Sequence, residues 1–80
     1  MTKFVSIGFD NYLEKNKILA VLKPGSSPMR KLKETKKKEG KLIDATGGKP
    51  TRSFILTDNG SLFLSSHLPS TIIERIENGS

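Results

Sequence analysis

Runs of apolar and alternating residues predict the strands in the first part of the chain. KFVSI (residues 3–7) is rich in β-branched and aromatic side chains and is followed by a glycine, which is typical of a strand. Residues 12–13 predict a short extended piece after a polar turn. ILAVL (residues 18–22) is apolar at every position, which predicts a strand that is covered on both faces and ends before Pro24.

A second set of strands follows in the centre of the chain. Residues 42–46 return to an extended pattern, and TRSFILT (residues 51–57) predicts a strand with two distinct faces. One face is predicted to carry Arg52, Phe54 and Leu56, and the other Ser53, Ile55 and Thr57. The sequence DNG (residues 58–60) is a hairpin signal, so SLFLSS (residues 61–66) is the predicted return strand.

Two helices complete the predicted elements. Ser27 is the expected N-cap of the first helix, Pro28 suits its first turn and Gly40 suits its C-terminal end. The apolar stripe of this helix is narrow and consists of Met29, Leu32 and Thr35. A short C-terminal helix begins at Pro69, and its apolar face is predicted to be Ile72, Ile73 and Ile76.

These elements predict the fold class. Their order indicates a single α+β domain over residues 1–80, with a small antiparallel or mixed sheet, one central basic helix and a short C-terminal helix. Three phenylalanines are expected in its core: Phe4, Phe54 and Phe63. The strands have apolar side chains on both faces, more than two such helices can cover. We therefore expect a homo-oligomer, in which ring closure would leave no exposed sheet edge.

The charge of the chain adds a class of partner to this picture. Lys and Arg number 14 against 8 Asp and Glu, a formal net charge of +6, which favours nucleic acid, an anionic membrane or an acidic protein as partner. The central helix places several basic residues on one side: Arg30, Lys33 and Lys37, with Lys31 and Lys38 alongside. This side is either a solvated surface or a phosphate contact. Because Lys17, Lys49 and Arg52 add further basic sites elsewhere in the chain, the sequence favours a long anion as the partner.

Other features of the chain narrow the choice of partner. Met29 and Leu32 are less bulky than the apolar residues of a membrane-binding helix, and no apolar run approaches the roughly 20 residues of a membrane span. The N-terminus lacks the pattern of a signal peptide, so we expect a cytoplasmic protein without a membrane partner. The phenylalanines are not expected to form the exposed aromatic pairs on which RNA bases stack.

The chain lacks the residues of common catalytic and metal sites. It has no cysteine and a single histidine, so we expect no disulfide and no zinc site. GGKPT departs from a nucleotide-binding phosphate loop, because Pro50 follows the Gly-Lys pair and Ile43 stands where the first glycine is needed. His67 is expected at a strand end as a structural or solvated residue. Asp44 is expected either buried in a structural pair, for which an arginine is a candidate partner, or exposed beside a basic residue; the structural pair is favoured. We predict no enzymatic activity, no metal, no cofactor and no small-molecule substrate.

Specific blocks of the sequence carry a family resemblance. In order they are KFVSIGFDN, NKI, SSPMRKL, LIDATGGKPTRS and TDNGSLFLSS. Together they resemble the RemA (extracellular matrix regulatory protein A) family of small bacterial regulators. The resemblance implies a DNA-binding transcriptional regulator whose fold is related to LytTR-type DNA-binding domains. It also implies ring-shaped homo-oligomers that bind double-stranded DNA in the nucleoid through repeated basic loops and control genes for biofilm matrix or osmoprotection.

The resemblance also implies positions for the DNA contacts. An arginine of the family falls on Lys17, and an arginine pair falls on Lys49 and Pro50, so the two lysines keep the charge without the bidentate fork of arginine. With the basic helix included, the predicted DNA-binding residues are Lys17, Arg30, Lys33, Lys49 and Arg52. The predicted loop geometry depends on Gly47, Gly48, Pro50 and Pro28. The alternative that stays open is an oligomeric protein-interaction or architectural module with only weak, non-specific binding of nucleic acid.

Overall fold

Six strands and two helices make up the structure, a computed structural model that describes residues 3–78. In chain order they are β1 (Phe4–Gly8), β2 (Asn11–Glu14), a 3₁₀ turn (Lys15–Lys17), β3 (Ile18–Leu22), α1 (Ser27–Lys38), β4 (Leu42–Asp44), β5 (Ser53–Thr57), β6 (Leu62–Ser65) and α2 (Pro69–Glu77). The α+β class predicted from the sequence is confirmed, and the predicted strands and helices are all present within one or two residues of their expected bounds.

The strands form two sheets. A four-stranded mixed sheet has the order β3-β5-β6-β4, in which β4 pairs with β6 in parallel and the other pairs are antiparallel. The second sheet is the separate hairpin β1-β2. Because β3 and β4 run in the same direction at opposite edges, α1 crosses one face of the sheet to join them, and the β5-β6 hairpin fills the space between.

Each face of the four-stranded sheet has its own apolar cluster. The first face is covered by the β1-β2 hairpin and α2, around the buried residues Ile7, Ala45, Ile55 and Ile72. The second is covered by α1, around Phe54, Leu62 and Leu64. The predicted alternation of β5 is confirmed, since Ile55 belongs to the first cluster whereas Phe54 and Leu56 pack in the second. The cover on both faces is thin, because each face is packed by only one or two short elements.

The strand β3 is covered less completely than its apolar sequence predicts. Ile18 and Val21 pack on the first cluster and Leu22 on the second. The pairing with β5 shifts between Ile18 and Ala20, so the backbone bulges there, and the side chain of Leu19 is 65% exposed. The prediction of full cover is wrong for Leu19 within one chain.

The first helix begins one residue earlier than predicted. Its N-cap is Ser26, whose Oγ accepts a hydrogen bond of 3.4 Å from the backbone N of Met29, whereas Ser27 is already helical. Pro28 lies in the first turn as expected. Gly40 follows the C-cap with φ +72°, a left-handed conformation that ends the helix.

The apolar stripes of both helices are narrower than predicted. In α1, Met29 and Leu32 pack on the sheet, but Thr35 is exposed and the stem of Lys36 takes the next inward position. In α2, Ile72 is buried and Ile76 partly buried, whereas Ile73 is 41% exposed. Each helix therefore packs on the sheet by a narrower line of side chains than predicted, and one predicted member of each stripe lies outside the contact.

One predicted core phenylalanine lies on the surface. Phe54 is buried and Phe63 is half-buried against the first cluster, as expected, but Phe4 is 59% exposed. Val5 and Ile7 alternate with it and turn inward, so Phe4 lies on the outer face of the β1-β2 hairpin. Within residues 3–78, neither helix has the length and apolar character that crossing a membrane requires.

Candidate functional site

The register of the sheet divides the basic residues between its two ends. Asp44 pairs with Leu64 and Ser53 pairs with Ser65, so the connection from β4 to β5 lies where β4 and β6 end and β5 begins. We call this the loop end, and we call residues 46–52 of the connection the glycine loop. The opposite end carries the turn between β5 and β6, residues 58–60, and we call it the hairpin end.

The glycine loop turns tightly at its two glycines. Gly47 has φ +62° and Gly48 has φ +86°, and the backbone N of Lys49 donates a hydrogen bond of 3.1 Å to the carbonyl of Thr46. Two successive positive φ values at the centre of a four-residue turn are typical of a type I′ turn, which glycine adopts without strain. The turn brings Lys49 and the residues after it to the surface of the loop end.

Thr46 anchors the first residue of this turn. It is buried, and the Asp44 carboxylate accepts hydrogen bonds from its backbone N at 2.8 Å and from its Oγ1 at 2.6 Å. These two bonds, the side-chain bond first, lower the pKa of Asp44 from its ordinary value, and the charge of Lys33 adds to the effect. The predicted arginine partner of Asp44 is wrong. Its partner is Thr46, which a carboxylate two residues earlier reaches without help from the rest of the fold.

The other side of the glycine loop is fixed by its backbone, which leaves the basic side chains exposed. The backbone N of Arg52 donates to the carbonyl of Ser65 at 2.8 Å, and the Ser53 hydroxyl donates to the carbonyl of His67 at 2.6 Å. Lys49, Pro50 and Arg52 are all exposed. In the part of the chain that the structure describes, the ion pairs involve neither Lys49 nor Arg52. Both cations are therefore available to an external anion.

A phenylalanine that the sequence analysis did not select as a site residue completes the loop end. Phe9 lies in the turn between β1 and β2, and its ring rests against Gly47, where a Cβ would come within 2.6 Å of the ring atoms. The Nζ of Lys49 lies over the same ring, 5.4 Å from its centroid. The signal that could have found it is a large aromatic residue within a turn sequence, GFDN, where small polar residues are usual.

His67 packs beside the turn between β1 and β2. It lies between β6 and α2, as predicted, and its backbone N donates to the Ser65 hydroxyl at 3.1 Å. A Cβ added at Gly8 would lie 3.0 Å from His67 Nε2, so the imidazole packs closely over Gly8. These contacts give His67 a packing role beside the loop end.

The structure places Lys17 away from the glycine loop. Its Nζ lies 3.6 Å from the Asp58 carboxylate, and its carbonyl accepts a 2.8 Å hydrogen bond from the Asp58 backbone N. Lys17 is therefore at the hairpin end, separated from Arg52 by the five residues of β5, which span about 17 Å. Within one chain, Lys17 therefore does not lie beside Lys49 and Arg52, and its predicted role in DNA binding stays a prediction.

The basic residues of α1 are spread along the whole sheet. The helix starts at the loop end, since β3 finishes opposite Phe54, and it finishes near the start of β6, where the backbone N of Leu62 donates to Lys41. Arg30 in the first turns and Lys33, whose charge acts on Asp44, therefore lie toward the loop end. The later lysines, from Lys36 onward, lie toward the hairpin end.

One further lysine belongs to the loop end by its register. Leu22 pairs with Phe54, so the exposed Lys23 follows β3 beside the start of β5, where Arg52 lies. Lys23 is not among the predicted site residues, because the pairing of β3 with β5 cannot be read from periodicity. The loop end therefore combines cations from three separate segments: Lys23, Arg30, Lys33, Lys49 and Arg52.

A cleft of about 380 Å³ lies at the opposite end of the molecule. It is lined by Tyr12, Leu13, Glu14, Lys17, Thr57, Asp58, Asn59 and Phe63. Its lining includes two carboxylates and one ammonium group, so it does not extend the basic surface of the loop end. No cluster of three or more potential metal-ligating side chains occurs within residues 3–78.

Comparisons with known proteins agree on one family. The family described as RemA-like (Extracellular matrix regulatory protein A-like) matches residues 4–76 of the chain. A relative from Thermodesulfovibrio yellowstonii is 50% identical over 72 residues, which are 90% of this chain and 85% of the relative. One from Fervidobacterium nodosum is 44% identical over 75 residues (94% and 81%), and one from Nitratidesulfovibrio vulgaris is 41% identical over 73 residues (91% and 83%). Each of the three carries the name "Putative regulatory protein".

Proposed function

This chain belongs to the RemA-like family, and from that premise we propose that it is a transcriptional regulator that binds the phosphate backbone of double-stranded DNA through its glycine loop. The observation that carries the proposal is the two exposed cations Lys49 and Arg52, which form no ion pair within residues 3–78 and lie on a loop whose backbone is fixed on both sides. A fixed loop loses little conformational freedom on binding, so more of the electrostatic attraction appears as affinity.

The chemistry of the contact is the neutralisation of phosphates. Each phosphate that a lysine or arginine neutralises releases condensed counterions, which lowers log K by about 0.9 for each tenfold rise in salt. Arg52 supplies a fork that two phosphate oxygens can accept, whereas Lys49 supplies a point charge. Because Gly47 and Gly48 have no side chains, the turn can approach the duplex closely. Lys23, Arg30 and Lys33 add positive potential around the same end.

We propose further that the protein acts as a homo-oligomer, closed into a ring. Within residues 3–78, no strand pairs with the outer edges of β3 and β4, and each of these strands carries an exposed aliphatic residue, Leu19 at 65% and Ile43 at 41%. Pairing the β3 edge of one copy with the β4 edge of the next is a head-to-tail contact that closes into a ring. Repetition of the glycine loop around the ring multiplies weak contacts into useful avidity.

Lys17 lies at the start of β3, on the edge strand that the proposed contact uses. Because β3 and β4 run in the same direction, the ring keeps the glycine loops of all copies at one rim and leaves Lys17 at the other, about 17 Å away, as a separate cation of the ring. The outer face of the β1-β2 hairpin carries two exposed aromatic side chains, Phe4 and Tyr12, each 59% exposed. In the ring they are available to the contact between copies.

The biological setting is part of the same proposal. We place the protein in the cytoplasm, associated with the nucleoid, where it controls genes for biofilm matrix or osmoprotection, and we relate its fold to LytTR-type DNA-binding domains. We propose no enzymatic activity: Asp44 is bonded to Thr46, and His67 packs over Gly8, so each has a structural contact in the fold.

A protein-interaction module is the second candidate function. Two exposed aliphatic residues favour it: Leu68 before α2, 53% exposed, and Ile73 within α2, 41% exposed. An adaptor of this kind would form oligomers and bind another protein through α2, with only weak, non-specific binding of nucleic acid.

Light scattering across a salt series, with and without a DNA fragment, separates the two functions. The DNA-binding regulator gives an oligomer whose complex with DNA dissociates as salt rises, with a slope set by the number of phosphates contacted. The adaptor gives the same oligomer without a salt-dependent complex. The variant Lys38→Ala, which removes a cation near the far end of α1, is the matched control for variants of the glycine loop.

A further inference from the structure

We infer that Phe9 is a positioning residue of the proposed DNA site, which rests on the glycine turn and acts through Lys49 by holding its ammonium group. The inference rests on the proposed function for its biological meaning, although the contacts that carry it belong to the free protein. They join two segments far apart in the sequence: the GFDN turn of the first hairpin and the TGGK turn of the glycine loop.

The backbone at Phe9 is held in an unfavourable conformation. Phe9 has φ +52° and Asp10 has φ +62°, values that residues with a side chain rarely adopt. The side-chain amide of Asn11 stabilises the turn by donating to the carbonyls of Gly8 at 3.0 Å and of Phe9 at 3.1 Å. Strain of this kind is found where the surrounding structure enforces it, often at functional sites.

Core packing does not explain the aromatic ring at this position. Phe9 is 50% exposed and belongs to neither apolar cluster. Its ring instead lies against Gly47, where an added Cβ would come within 2.6 Å of the ring atoms. This contact joins the turn of the first hairpin to the turn of the glycine loop, and so it restricts the position of the glycine loop relative to the sheet.

The same ring restricts the side chain of Lys49. With Nζ at 5.4 Å from the ring centroid, the ammonium is attracted to the face of the ring and samples fewer rotamers than a free surface lysine. A cation that is already placed loses less entropy when it meets a phosphate. The half-exposed ring leaves the other side of the ammonium open to the anion.

A double-mutant cycle tests whether Phe9 acts through Lys49. DNA affinity is measured at one salt concentration for the parent chain, Phe9→Leu, Lys49→Gln and the double variant. Phe9→Leu keeps an apolar side chain without a ring, and we expect it to weaken binding by about two- to fivefold per site, the range for an exposed cation–π contact. In the Lys49→Gln background the same change should have almost no effect. Losses that multiply in the double variant would overturn the inference.

Two controls separate positioning from a general structural effect. Phe9→Tyr retains the ring and should restore the affinity that Phe9→Leu loses. Thermal unfolding and light scattering of each variant show whether the fold and the oligomer are unchanged. If Phe9→Tyr binds as weakly as Phe9→Leu while remaining folded, the ring has no positioning role and the inference fails.

A measurement without DNA distinguishes this inference from the proposed function. After reductive ¹³C-methylation of the lysines, the Lys49 signal, assigned by its absence in Lys49→Arg, should be shifted upfield by the ring current of Phe9. The shift should disappear in Phe9→Leu or, should that variant not fold, in Gly47→Ala, which displaces the ring. A Lys49 signal at the position of the other exposed lysines overturns the contact itself. A shifted signal in a protein that does not bind DNA refutes the proposed function, and with it the role of Phe9 toward DNA.

Discussion

The Asp44 carboxylate accepts two hydrogen bonds from Thr46, one from the backbone and one from the hydroxyl, and so ties the end of β4 to the start of the glycine loop. The contact is local in sequence, but it decides the direction in which the loop leaves the sheet. Lys33 of α1 lies near enough for its charge to favour the ionised carboxylate, which links the basic helix to the same corner.

This pair predicts a pH dependence of stability. The pKa of Asp44 is lower in the folded than in the unfolded protein, so its ionised form stabilises the fold above the unfolded value of about 3.9. The stabilisation is lost as the pH falls through the folded pKa. We expect Asp44→Asn to have a lower free energy of unfolding than the parent at pH 7. The difference between the two chains should shrink as the pH falls through the folded pKa of Asp44. Chemical unfolding of both chains between pH 7 and pH 2 measures it, and a difference that does not change with pH would contradict the account.

The two glycines of the loop provide a matched pair of substitutions. Both have positive φ, which costs a residue with a Cβ roughly 1–2 kcal/mol. At Gly47 the new methyl group would also collide with the Phe9 ring at 2.6 Å, whereas at Gly48 it would meet open space. Gly47→Ala should therefore be clearly more destabilising than Gly48→Ala in thermal unfolding. Equal losses would show that Phe9 does not rest on Gly47.

The arrangement of these residues separates what the sequence predicts from what it does not. The strands β3, β5 and β6, the basic helix and the hairpin turn follow from periodicity and turn residues, which act over short stretches of chain. The parallel pairing of β4 with β6 and the separate β1-β2 sheet depend on contacts between distant segments, so periodicity does not reveal them. The same holds for the site, where Lys49 and Arg52 share a loop but Lys17 is placed by strand register.

Two errors have simple physical reasons. Thr46 stands two residues after Asp44, a spacing at which a carboxylate bonds its own backbone neighbourhood, so the true partner was readable in the sequence. The exposure of Phe4 could not be predicted from the sequence. A strand with apolar residues at positions 4, 5 and 7 does not reveal which face turns inward until its partner is known.

The proposed ring predicts a sensitive site at the edge of the sheet. Leu19 is 65% exposed on the β3 edge, so Leu19→Asp should place a charge within the contact between copies and dissociate the oligomer. Lys31→Asp, on the exposed side of α1, is the control for an added carboxylate. Light scattering measures both variants. A monomeric parent chain, or an oligomer that tolerates Leu19→Asp, would contradict the proposed contact.

The glycine loop also predicts a gain of binding. Pro50 is exposed and precedes the fixed part of the loop, so Pro50→Arg adds a cation between Lys49 and Arg52 without removing a described contact. We expect tighter DNA binding and a salt slope that is steeper by about 0.9 for each added phosphate contact. Pro50→Ala controls for the loss of proline rigidity. An arginine that leaves both affinity and slope at the level of Pro50→Ala would show that the loop does not face the phosphates.

The central claim is that the glycine loop binds DNA phosphates, and Arg52→Ala tests it most directly. Only the backbone N of Arg52 bonds to the fold among the described residues, so the variant should keep the oligomer while DNA binding weakens severely and the salt slope falls. Arg52→Lys, which retains the charge, should bind DNA more tightly than Arg52→Ala and more weakly than the parent chain. The measurement is DNA affinity across a salt series, with light scattering of the same samples. The account predicts an intact oligomer with lost affinity, and an oligomer that breaks while its subunits keep their affinity for DNA would contradict it.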